Sequence, residues 1–87
     1  MAFEVKVKSC RATAEKSPDP NYSIVAVLEK PLLDMRTGAI IEKVCYGHEE
    51  ADMEEAISEI GANNVRKILL DGEKAECNVD VEYHDWK

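Results

Sequence analysis

The densest chemistry in this chain is carboxylate chemistry. Asp52, Glu55 and Glu59 recur at i, i+3 and i+7, and Glu49 falls one turn earlier. On a helix these spacings place the four acids on one face. No lysine or arginine occurs between residues 49 and 65 to pair with them. Like charges so placed repel one another by a few tenths of a kcal/mol per pair. A helix that keeps them therefore presents either a plain solvated face or a negative ridge suited to a basic partner. A second acidic set, Glu76, Asp80 and Glu82, shares one face of a run that alternates as a strand does. Lys6 and Lys8 form a basic face on the first strand. If the first and last strands are neighbours, a cross-strand charge ladder would neutralise this second set.

Metal and nucleophile chemistry find weaker support. Cys45 and His48 make one Cys-x-x-His pair, whereas a structural zinc site needs four ligands, usually two such pairs. No segment alternates oxygen ligands around a glycine as a calcium loop does. The expectation is no metal and no cofactor. Cys45 or Cys77 with His48 or His84 could supply a nucleophile and a base. The chain nevertheless holds no nucleophile elbow, no G-x-G-x-x-G, no phosphate-binding glycine loop and no H-E-x-x-H. It is expected not to be an enzyme. Cys10, Cys45 and Cys77 are an odd number at wide spacing, which predicts small buried thiols in a reducing compartment, the cytoplasm.

The charge distribution narrows the partners. The net charge is −7 over 87 residues. Residues 1–48 carry seven bases and six acids, and residues 49–87 carry four bases and twelve acids. Direct nucleic-acid binding, which uses basic residues to displace phosphate counterions, is not expected. No apolar run approaches the ~20 residues of a membrane span. The opening residues alternate apolar and charged and are not expected to form a signal peptide. The few aromatics lie in an acidic surround, unlike the basic surround of sheet proteins that read single-stranded RNA.

The elements that must carry these acids follow from periodicity. Phe3-Glu4-Val5-Lys6-Val7-Lys8-Ser9 predicts a strand with Phe3, Val5 and Val7 inward. Residues 11–21 are polar and end in Ser17-Pro18-Asp19-Pro20-Asn21, which predicts an exposed loop. Residues 22–29 are apolar on both faces and predict a central strand stopped by Pro31. Asp34–Gly38 predicts a turn, and residues 39–46 the returning strand of a hairpin. Met53, Ala56, Ile57 and Ile60 make the apolar stripe of a helix over 49–60, ended by Gly61. Residues 65–70 predict a fourth strand, Asp71-Gly72 a hairpin turn, and residues 75–83 a fifth strand with Ala75, Cys77, Val79, Val81 and Tyr83 inward. The expected fold is a single small domain over residues 1–87. It is a two-layer α+β arrangement in the order β-β-β-α-β-β, one helix on a mostly antiparallel five-stranded sheet.

These readings converge on a small acidic binding protein. Its partner is expected to be a protein with a basic, nucleic-acid-binding surface, occupied by Glu49, Asp52, Glu55, Glu59, Glu76, Asp80 and Glu82 as an inhibitor or decoy would occupy it. In size and charge the chain is similar to small phage and mobile-element antagonists of host-defence nucleases, a class analogy that no motif carries. The alternative is a homo-oligomeric structural or regulatory module whose acidity serves solubility alone. One short helix covers only one face of such a sheet. The other face would then expose Val25 and Val27, which predicts a homodimer with these two residues at its interface.

Overall fold

The computed structural model of the chain describes residues 2–87. Four strands and two helices follow in the order β1 (Phe3–Lys16), β2 (Ile24–Leu33), β3 (Ile40–Tyr46), α1 (Glu50–Ile60), α2 (Ala62–Asp71) and β4 (Ala75–Trp86). The strands form one antiparallel sheet in the order β3-β2-β1-β4. The α+β class is as expected, but the sheet has four strands and the fifth is a helix.

The segment Val65–Leu70 lies within α2. A short apolar run reads equally as strand or helix, and here Val65 and Ile68 fall one helical turn apart and are both buried. Gly61 makes the second helix possible. Its φ of 101° turns the chain between α1 and α2 in a region that residues with a Cβ avoid. Asn64 Nδ2 then donates to the Ile60 carbonyl at 2.9 Å and satisfies a carbonyl at the end of α1. Gly72 is the left-handed cap of α2, with φ 67°, and not the corner of a hairpin. Both structures require the same positive φ, so the dipeptide Asp71-Gly72 alone does not separate them.

β1 also runs further than expected, to Lys16, and the turn is confined to the residues between β1 and β2. Its covered face is formed by Cys10, Ala12 and Ala14, all buried. The pairing with β4 continues from Phe3–Trp86 to Ala14–Ala75 without a shift, so strict alternation places Phe3, Val5 and Val7 on the opposite, uncovered face. This reverses the expected orientation of the strand. The small side chains Ala12, Ala14, Ala26, Ala56 and Ala75 let two helices sit close on the sheet, with Ile24, Ile68 and Val79 as its fully buried larger members.

The β2–β3 hairpin forms with its turn at Asp34–Gly38, closed by Asp34 N–H to the Ala39 carbonyl at 2.9 Å. Pro31 does not end β2. It sits where the register with β3 shifts between Val27 and Leu32, as a proline in a ladder must. Beyond this irregularity the hairpin curls across to the far edge of β4. There Met35 N–H donates to the His84 carbonyl at 2.8 Å, and His84 Nδ1 stands 3.3 Å from Asp34 Oδ2.

The expected stripe of α1 is half right. Ala56 and Ile60 are buried, but Ile57 is 45 % exposed. The two helices share the covering of the sheet, so α1 rolls onto the Ala56–Ile60 edge of its stripe.

Candidate functional site

Residues from α1 and from β4 meet in one open groove of about 600 Å³, lined by Glu55 and Glu59 of α1, Asp80 and Glu82 of β4, with Val7 and Val44 at its sides. α1 brings its acids here because Ala56 and Ile60 are held on the sheet and the 55/59 edge is left facing the outer side of β4.

Glu59 organises the groove. Its Oε2 accepts the Tyr46 hydroxyl at 2.7 Å and its Oε1 accepts the Asp80 backbone N–H at 3.0 Å. One carboxylate thus ties β3 at one edge of the sheet to β4 at the other. It also caps a backbone donor on an edge that would otherwise be open. Burial, followed by the Glu59 carboxylate, pushes the Tyr46 hydroxyl far above the usual phenol value. Burial also raises the Cys77 thiol, with a smaller push from the Glu59 charge, which disfavours the thiolate a nucleophile would need.

The structure divides the other predicted acids. Lys6 and Lys8 lie opposite Tyr83 and Val81, on the face of the ribbon away from Asp80 and Glu82, so the expected charge ladder does not form. Lys6 pairs instead with Asp85 at 3.8 Å. Glu76 pairs with Arg11 at 3.3 Å, and Arg11 also reaches Glu29 at 3.7 Å. Glu55, Glu59, Asp80 and Glu82 have no ion-pair partner among the described residues. Glu49 and Asp52 lie at the start of α1, outside the groove, where Asp52 Oδ2 accepts the Glu49 N–H at 3.2 Å as part of a helix cap. Tyr46 was not foreseen in the site; it lies 13 residues from Glu59, and no local pattern links them.

Val25 is already buried at 6 % exposure and Val27 is 45 % exposed, and both line a cleft with Pro18, Tyr22 and Cys45. The turn after β1 thus contributes to covering a face that the sequence left bare.

The two histidines are engaged in contacts within the fold. His48 Nε2 lies 2.9 Å from the Pro20 carbonyl, and His84 faces Asp34. No group of three or more His, Cys, Asp or Glu able to hold a metal occurs among the described residues. Burial raises the Asp34 carboxyl, but the hydrogen bond from His84, the Arg36 and Thr37 amides and the His84 charge outweigh it and hold the group below its usual value. A depressed carboxylate stabilises the fold above its unfolded value and loses that contribution as pH falls through its folded one. Unfolding followed from neutral pH into acid should therefore show a component below about pH 4 that Asp34→Asn removes. An unchanged acid profile in that variant would detach the hairpin contact from stability.

Comparison with family models, with curated proteins and with solved structures finds no match to the chain. Among the described residues, no helix is long and apolar enough to cross a membrane.

Proposed function

We propose that this chain is a non-enzymatic binding protein that sets an acidic surface against a basic, nucleic-acid-binding surface of a partner protein, as an inhibitor or decoy does. The observation that carries the reading is the convergence of Glu55, Glu59, Asp80 and Glu82 on one groove without a cation, while Lys6 and Arg11 on the neighbouring strand pair with other acids. Uncompensated like charge costs stability. A partner's lysines and arginines would recover that cost on binding, and phosphates of a nucleic acid would compete for the same groups. Free thiols at Cys10, Cys45 and Cys77 suit a reducing compartment such as the cytoplasm.

The test reverses charge without breaking the fold. Glu59 holds the two sheet edges together, so the informative pair is Glu55→Lys with Glu82→Lys, both exposed side chains. Parent and variant are immobilised and challenged with lysate of the source cells at low and high salt. The parent should retain a basic protein at about 50 mM salt, release it at about 500 mM, and release it to added double-stranded DNA or RNA. The variant should retain at least tenfold less. Equal capture by parent and variant rejects the acidic groove as the binding surface.

A further inference from the structure

β1 carries an unpaired edge whose sequence is complementary to itself. It pairs with β4 from Phe3 to Ala14 but with β2 only from Ala12 to Lys16. The Asp80 N–H points outward to Glu59 and the His84 carbonyl outward to Met35, so Ser9–Asp80 and Val5–His84 are non-hydrogen-bonded pairs of the β1–β4 ladder. Alternation puts Phe3–Trp86 and Val7–Glu82 in the same set. The backbone N–H and C=O groups of Phe3, Val5 and Val7 therefore point away from β4, toward the side that β2 has left. None of them has a backbone partner among the described residues. The same residues expose apolar side chains, Phe3 at 36 %, Val5 at 58 % and Val7 at 60 %. The β4 edge is capped by Glu59 and Met35; this stretch of β1 has no such cover, and an open apolar edge is a template for another strand.

We propose that the strand it takes is the same segment of a second copy, paired antiparallel about a two-fold axis at Val5. Charge and side-chain type select this register. It sets Val5 opposite Val5, Phe3 opposite Val7 and Glu4 opposite Lys6, the last two pairs each occurring twice by symmetry. Every apolar residue meets an apolar one and every acid meets a base. Moving the axis to Lys6 sets Lys6 against Lys6, and moving it to Val7 sets Lys6 against Lys8. A shift by one residue on a single chain would turn the apolar residues of one copy to the wrong face. Among the described residues Glu4 has no ion-pair partner, and Lys6 is half exposed beside Asp85. The dimer joins two β1–β4 ribbons into one continuous sheet and places the groove wall formed by Val7 beside the new seam.

Light scattering of the full chain tests this. The parent should reach twice its monomer mass of 9.8 kDa as its concentration rises through the micromolar range. Glu4→Lys alone and Lys6→Glu alone each place like charges opposite one another twice, and each should weaken the dimer by about tenfold or more. An equimolar mixture of these two variants restores opposite charges at every pair and should form a heterodimer. The doubly exchanged chain, Glu4→Lys with Lys6→Glu, should recover the parent's self-association. A parent that stays monomeric at high micromolar concentration overturns the proposal. So do single variants that dimerise as tightly as the parent, or a mixture and a double exchange that fail to restore association.

Discussion

Ile68→Ala is expected to destabilise the fold by about 3 kcal/mol, within the range for emptying a fully buried large aliphatic site. Ile68 is 0 % exposed in the layer between α2 and the sheet. The loss combines the transfer energy of the removed methylenes with the cavity they leave, because the core that Ile68 shares with the fully buried Val79 and Ile24 relaxes little. In a domain of this size such a loss lowers the melting temperature by roughly 12–24 °C. The matched control is Ile57→Ala, which should cost less than about 1 kcal/mol because nearly half of that side chain is in water. Denaturant unfolding of both variants decides the matter. Equal costs at the two positions would mean that α1 presents a different edge to the sheet and that α2 does not seal the core.

Glu59→Ala is expected to cost about 2–3 kcal/mol, although it removes one of four clustered negative charges. Two hydrogen bonds to an ionised acceptor are lost: the one from the Tyr46 hydroxyl is worth on the order of 1.5–3 kcal/mol, and the exposed one from the Asp80 N–H adds only about 0.5 kcal/mol. Relief of like-charge repulsion returns only a few tenths. The Tyr46 hydroxyl, on a residue 2 % exposed, is left without its acceptor. The same contact has a pH signature. The folded chain keeps Tyr46 neutral above the usual phenol value of 10.0, where the unfolded chain ionises it. A raised folded value gives stability that is complete below the unfolded value and falls as pH rises beyond it. Tyr46→Phe should flatten this alkaline loss. A Glu59→Ala chain as stable as the parent would show that the groove is merely an acidic surface and not the tie between β3 and β4.

Part of this architecture was legible in the residues. The alternation of Ala75 to Tyr83 placed the right side chains inward, and Asp34–Gly38 gave a hairpin between two neighbouring strands. The acids of α1 stood out because no base interrupts them. Other readings failed where one pattern serves two structures. Val-Arg-Lys-Ile-Leu-Leu satisfies a strand as an apolar run and a helix as a buried Val65/Ile68 pair, and only Gly61, by turning the chain back over the sheet, decided for the helix. The expected orientation of β1 failed because Phe3, Val5 and Val7 are its most hydrophobic residues. The core instead closes over Cys10, Ala12 and Ala14, whose small size allows close approach.

The amino-acid sequence by itself determined the α+β class, the sign and asymmetry of the charge, and the sets of acids that share a face within each element. These properties depend on composition and on periods of two or about 3.6 residues, which neighbours along the chain set among themselves. Only the tertiary structure decided which sets meet. The curl of the sheet brings the β3 and β4 edges within reach of one carboxylate, Glu59. The covered face of β1 sends Lys6 and Lys8 away from Asp80 and Glu82 and leaves those acids unpaired. The departure of β2 from β1 after Leu28 opens the backbone of Phe3, Val5 and Val7. Each outcome depends on contacts between residues distant in sequence, and periodicity along one segment carries no information about the element that will lie across from it.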